Sequence, residues 1–170
     1  AKLGAVRIES EAENPRFSKQ KVEQYITYAN PIGNVVNTTA IERAIYILNE
    51  TPGVAVSTSI EAGDKEGDAA LRVNVADTPL MVGKADVTNY GSRSTGIAQG
   101  LGTVALNNPN GLGDQLTVNG IASEGSQYGQ VAYSFPLNPN GLRLSLSSSY
   151  MNYRTIGDFS GVKGNSTTIG

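Results

Sequence analysis

One turn occurs twice in this chain, and it limits the available folds more than any other feature. Asn108-Pro109-Asn110-Gly111-Leu112 and Asn138-Pro139-Asn140-Gly141-Leu142 are identical and stand thirty positions apart. The residues around them alternate between apolar and small or polar types, in five runs over 81–90, 97–107, 114–123, 128–138 and 142–153. In the fourth run Val131, Tyr133, Phe135 and Leu137 oppose Gln130, Ala132 and Ser134. In the fifth, Leu142, Leu144, Leu146 and Tyr150 oppose Arg143, Ser145, Ser147 and Ser149. Period two is the strand signature. The repeated turn closes one end of these strands, and Gly91–Gly96 and Glu124-Gly125-Ser126-Gln127 close the other. That predicts an antiparallel up-and-down meander, with a sixth strand opening in 164–170.

The polar faces of these strands carry little charge. Nine charged side chains fall in residues 80–170 and nineteen in residues 1–79. A soluble barrel or sandwich places charge outside and Val, Ile and Phe inside. Faces of Ser, Thr, Gln, Asn and Gly opposite an apolar face suit a polar lumen and a lipid-facing exterior instead. The chain contains no run near the ~18 apolar residues of a membrane-spanning helix, which does not exclude a membrane protein, because barrel strands alternate and score weakly on hydropathy. Tyr90, Tyr128, Tyr150 and Tyr153 fall near one end of the strands, where an aromatic girdle is expected.

Residues 1–79 read differently, and a boundary is expected at Asp77-Thr78-Pro79. A short strand over 4–8 is followed by Val22, Tyr25, Ile26 and Ala29 at helical spacing. Asn30-Pro31-Ile32-Gly33 ends that helix. Thr39-Ala40-Ile41-Glu42 fits a capping box for a second helix with Ile41, Ala44, Ile45 and Leu48 on one face, ended by Pro52-Gly53. Val54, Val56, Thr58 and Ile60 then alternate, as do Ala69, Leu71, Val73 and Val75 after the turn at 63–67. The order β-α-α-β-β makes a two-layer α+β domain, with two helices on a three-stranded sheet. One sheet edge should stay open to a partner strand; Val54, Val56, Thr58 and Ile60 are the candidate edge, but the sequence does not decide between the edges.

Several functions are excluded or unsupported. The chain has no cysteine and no histidine, so it offers no disulfide, no thiolate zinc site and no Ser-His triad. The net charge of −2 argues against nucleic acid. Gly100-Leu101-Gly102-Thr103-Val104-Ala105 matches a dinucleotide fingerprint but sits within a strand, so close packing of small residues is the expected role. Asp64-Lys65-Glu66-Gly67-Asp68 begins like a calcium loop, yet Val75 stands where the closing Glu belongs, so a solvated acidic turn is expected. The acids of the second segment, Asp86, Asp114, Glu124 and Asp158, form no catalytic pair. No catalytic, cofactor or metal residue is predicted, and no enzyme.

Three stretches together resemble the outer-membrane transporters of two-partner secretion, the hemolysin-activator branch of the Omp85 superfamily. Residues 42–54, ERAIYILNETPGV, are similar to the second helix and next strand of that family's last POTRA domain. Asn89-Tyr90-Gly91-Ser92-Arg93-Ser94-Thr95-Gly96 is similar to its first barrel hairpin. Residues 107–116, NNPNGLGDQL, are similar to the first periplasmic turn and third strand. The resemblance covers almost the whole chain. It implies a POTRA domain (1–79) followed by the N-terminal strands (80–170) of a truncated outer-membrane β-barrel.

It also implies a function. The POTRA domain would capture an unfolded exoprotein of hemolysin or adhesin type in the periplasm, and the barrel would export it. Gly91, Ser92, Arg93, Thr95 and Gly96 would form an extracellular loop, with Arg93 its one charge. The partners implied are the exoprotein and outer-membrane lipid. No signal peptide is visible, and the plug helix, first POTRA domain and long sixth loop of the family are not matched, so a fragment is expected. Its bare strand edges could pair with another copy. Two rival readings are an Omp85-type assembly factor, which would bind nascent barrel strands, and a soluble peptide-binding α+β module, which would stay in the aqueous phase on detergent extraction.

Overall fold

The computed structural model describes residues 1–156 and 161–170. Asp158 therefore lies outside the described residues. The order of elements is β1 (Lys2–Ser10), α1 (Lys19–Ala29), α2 (Thr38–Glu50), β2 (Val54–Ala62), β3 (Asp68–Asp77), β4 (Met81–Thr88), β5 (Gln99–Asn107), β6 (Gln115–Ser123), β7 (Ser126–Pro136), β8 (Arg143–Arg154) and β9 (Lys163–Ile169). The chain divides into two compact units. The first comprises Ala1–Leu80 with Asn107–Asp114 and Phe135–Leu144; the second comprises Met81–Leu106, Gln115–Ser134 and Ser145–Gly170. Both Asn-Pro-Asn-Gly turns thus belong to the first unit, which their place between strands does not suggest.

In the first unit, the three-stranded sheet has the order β1-β3-β2. β3 pairs parallel with β1 and antiparallel with β2. The register of β1 slips between Leu3 and Ala5. That irregularity lets Leu3 share the inner face with Val6 and Ile8 despite their opposite parity. Leu3, Val54, Val56, Leu71, Val73 and Val75 form the sheet side of the core, and Val22, Tyr25, Ile26, Ile41 and Leu48 form the helix side. Phe17, from the loop before α1, closes the core with its ring 5.9 Å from that of Tyr25 at 72°. Such an edge-to-face pair contributes about 0.5–1.5 kcal/mol beyond its buried area.

Both helices start at polar caps. The Ser18 hydroxyl accepts from the Lys21 N–H, and the Asn37 side chain accepts from the Ala40 N–H at 3.1 Å. The second start differs from the capping box expected at Thr39. Asn37 lies two residues earlier and leads the N-cap preference, so the helix begins at Thr38.

In the second unit, six strands follow one another in the order β4-β5-β6-β7-β8-β9. The pairs β4-β5, β6-β7 and β8-β9 are antiparallel and in continuous register. Direct pairs share a face, so Gly83 and Val104 lie on one side and Lys84 and Thr103 on the other. On the polar side the Thr103 hydroxyl donates to Asn119 Oδ1 at 2.9 Å, and Asn119 Nδ2 donates to Gln130 Oε1 at 3.2 Å. This ladder ties β5, β6 and β7. The opposite side exposes Met81, Val87, Val104, Val118, Val131, Leu146 and Tyr150.

Two local expectations fail. A Cβ added at Gly100 or Gly102 would meet nothing within 4 Å, so these glycines pack against nothing. They are small residues on an open face. The four tyrosines lie near one end of the strands as expected, but they do not share the one face that a girdle needs. Tyr128 has the parity of Gln130 on the polar side, and Tyr153 opposes Tyr150 on β8. Nearness in sequence to a strand end did not fix the face.

Candidate functional site

The central place of β3 leaves β1 and β2 as the two edges of the α+β sheet. The start of β1 is covered. The Leu3 N–H donates to Asn34 O at 2.8 Å, the Gly33 N–H donates to Leu3 O at 2.7 Å, and Val36 N donates to Ala1 O. This backbone pairing by the segment after α1 occupies the edge of β1 over Ala1–Leu3.

β2 is covered only at its beginning. The Val54 N–H donates to Thr51 O, and the side chain of Asn49 on α2 holds both backbone groups of Val56. Its Oδ1 accepts from Val56 N at 2.7 Å and its Nδ2 donates to Val56 O at 3.0 Å. Asn49 thus acts as one residue of an extra strand. It also fixes the direction of the edge. Outward-facing backbone groups recur every second residue in an antiparallel strand, and β2 pairs with β3 without a register shift. The N–H and C=O of Thr58 and Ile60 therefore face outward as those of Val56 do, with no Asn49 to meet them.

The four candidate edge residues fall into two pairs. Val54 and Val56 are buried in the core, at 3% and 8% exposure, while Thr58 is exposed and Ile60 is 55% exposed. Their side chains share the helix face of the sheet, so Ile60 lies beside Leu3, Val36, Ile41 and Leu71 in a shallow depression. Asn49 itself carries no sequence signal. An Asn in a helix reads as a solvated residue until the strand beside it is known.

The opposite face of the sheet is ionic. Arg7 meets Asp64 at 2.7 Å, and Arg72 reaches Glu61 at 2.9 Å and Glu9 at 3.8 Å. The acidic turn is therefore joined to β1 by a surface ion pair.

The repeated turns build the other notable surface of the first unit. Arg16 donates to Asn107 O at 3.1 Å and also to Thr78 O, and its guanidinium lies 3.7 Å from Asp77. Lys21 Nζ donates to Gly111 O at 2.6 Å, Arg143 Nη2 to Gly113 O at 2.8 Å, and Asn140 Nδ2 to the Tyr28 hydroxyl at 3.1 Å. Asn108 adopts φ 57° and is fully buried, with its Oδ1 accepting from Gly113 N. Two glycines make this packing possible. A methyl group at Gly53 (φ 82°) would come within 2.6 Å of Asn108 Cβ, and one at Gly113 (φ 78°) within 2.6 Å of Thr51 Cγ2. Burial here pushes the Tyr25 phenol up, against the pull of the nearby Arg143.

The second-unit loop predicted to be extracellular is not a free tip. Ser92 and Arg93 are exposed, Gly91 and Thr95 are half-buried, and Gly96 is buried. The Gly91 N–H donates to Ile97 O, and the Gly96 N–H donates to Ser92 O at 2.9 Å. Neighbouring connections are stitched to it. Gly125 N and the Ser123 hydroxyl both donate to Thr95 O, Ile156 N donates to Ser94 O, and Arg154 N donates to Gly125 O. Buried Gly96 and Gly125 mark the close approach.

Comparisons with known proteins agree with this geometry. The heme/hemopexin transporter protein HuxB of Haemophilus influenzae is 26% identical over 134 residues, covering 76% of this chain and 24% of that protein. The outer membrane transporter CdiB of Escherichia coli is 32% identical over 88 residues, covering 52% of this chain and 15% of that protein. The chain therefore spans about a quarter or less of the length of these curated relatives. The solved structure of CdiB from Escherichia coli superposes with a TM-score of 0.71 at 24% identity, over 98% of this chain and 31% of that one. BamA from Haemophilus ducreyi lacking POTRA domains 1-3 gives 0.58 at 18% identity, over 89% of this chain and 28% of that one. Both likenesses concern the fold. The model of the haemolysin secretion/activation proteins ShlB/FhaC/HecB matches residues 67–170, and the chain belongs to that family.

Proposed function

We propose that this chain is part of an outer-membrane transporter that exports a secreted polypeptide. In this reading residues 1–79 are a POTRA domain in the periplasm, and residues 80–170 are N-terminal strands of the transmembrane barrel. The domain takes up an extended exoprotein segment by adding it to the edge of β2. The observation that carries this reading is the outward row of backbone groups at Thr58 and Ile60, beyond the stretch held by Asn49. Pairing through the main chain tolerates many sequences, as an export receptor requires, and the depression beside Ile60 offers selectivity for one apolar side chain.

The two faces of the strand unit support the second half of the reading. An apolar exposed side suits lipid, and the uncharged ladder Thr103-Asn119-Gln130 suits a lumen through which a polypeptide passes. The loop containing Gly91, Ser92, Arg93, Thr95 and Gly96 then faces the cell exterior, with Arg93 exposed there. The test is titration of the isotope-labelled transporter with the N-terminal secretion domain of its exoprotein. Amide shifts centred on Thr58 and Ile60 are expected; saturable binding that leaves both amides unmoved would defeat the edge assignment.

A further inference from the structure

The first unit contains a groove between α1 and the two turns, with a volume of about 240 Å³. Its apolar wall includes Phe17, Leu112, Phe135, Pro136 and Leu137, and Lys21 is the one charged side chain among the described residues that line it. We infer that this groove holds a membrane phospholipid, with the phosphate on Lys21 and the start of an acyl chain along Leu112 and Leu137. The inference rests on the outer-membrane reading above.

Three features select this occupant. First, Lys21 is fixed: its ammonium donates to Gly111 O at 2.6 Å and lies 5.7 Å from the centre of the Phe17 ring. A lysine ammonium has three donors, so two remain for an anion once the carbonyl is served. Second, Phe135 and Leu137 continue the alternation of Val131 and Tyr133, the apolar face of β7. Leu112 and Leu137 are 49% and 53% exposed, leaving a greasy path at the groove itself. Third, the walls are α1 with the loop before it, the two turns and the end of β7, a strand that lies between β6 and β8. They present no free strand edge, so an extended peptide would find no backbone partners there, unlike at β2. The volume lies below the ~300–1,000 Å³ of pockets that enclose a whole small molecule, which suits a headgroup and chain start.

The experiment uses the full-length transporter in nanodiscs of phosphatidylglycerol and phosphatidylcholine, with a photoactivatable phosphatidylglycerol as probe. Label is expected on peptides containing Phe17–Tyr25 and Phe135–Pro139. Lys21→Glu should reduce that label about tenfold, as expected for losing a hydrogen bond to a charged group. Lys21→Arg should retain it, and Lys65→Glu, the same charge change on a distant turn, should leave it unchanged. Melting of each variant is followed in parallel, so that loss of the Lys21–Gly111 bond is read separately from loss of lipid. Equal labelling of Lys21→Glu and wild type would overturn the proposal. So would label spread over the strands with none at the groove, or reduced exoprotein binding by Lys21→Glu at unchanged lipid label. A protein that does not enter the nanodisc at all would count against the membrane reading instead.

Discussion

The two units use the same residue types with opposite orientation. Every buried hydrophobic residue among those described lies between Leu3 and Val75, whereas Val87, Val118, Val131, Leu146 and Ile169 of the second unit are exposed. Alternation in β2 and β3 points apolar side chains at two helices. Alternation in β4 to β8 leaves Val87, Val104, Val118, Val131 and Leu146 exposed. A period-two pattern therefore defines a face without defining its solvent. The solvent is set by what the opposite face carries: ions at Arg7, Arg72, Glu9 and Glu61 in the first unit, and in the second amides and hydroxyls with the one pair Lys84–Asp86 among the described residues.

The largest expected effect tests the inward half of that contrast. Leu71→Ala leaves a cavity in a fully packed core and should cost about 2–5 kcal/mol, seen as lost hydrogen-exchange protection across β1, β2 and β3. The outward half is tested next. Val131→Lys should cost about 2–4 kcal/mol if the residue lies near the bilayer midplane, whereas Gln130→Lys one position away should leave barrel assembly near normal. Heat-modifiability on gels after refolding into vesicles reads the difference. Equal sensitivity at both positions would remove the distinction between the faces.

Glycines sharpen the contrast further. Gly113→Ala forces a left-handed backbone onto a residue with Cβ and drives it into Thr51, at an expected cost of about 1–3 kcal/mol. Gly100→Ala meets open space and should be nearly silent in the same melting experiment. A smaller effect is expected for Asn49→Ala. Releasing Val56 should cost about 1 kcal/mol and lengthen the open edge, so self-association at high concentration should rise, as sedimentation would show.

Much of this was legible in the residues. Val22, Tyr25 and Ile26 marked α1, the turn at 63–67 separated β2 from β3, and the Asn-Pro-Asn-Gly pair set the rhythm of the meander. Local periodicity carries such features because each depends on neighbours in sequence. The open edge could not be chosen that way. It depends on β3 lying between β1 and β2, a parallel pairing across more than sixty residues with no local signature. The Asn49 clamp and the docking of Gly53 against Asn108 depend in turn on that arrangement. The capping box at Thr39 misled because two adjacent signals competed and the stronger cap, Asn37, prevailed.

Capture at the β2 edge is tested most directly by proline at alternate positions in the full-length transporter. Thr58→Pro removes an outward N–H and leaves the β3 ladder intact, whereas Ser59→Pro removes an N–H that β3 uses. Thr58→Pro is expected to keep the domain folded but to lose about tenfold in affinity for the exoprotein's secretion domain, through lost edge hydrogen bonding. A folded Thr58→Pro transporter that binds and exports its exoprotein at the wild-type level would contradict capture at the β2 edge.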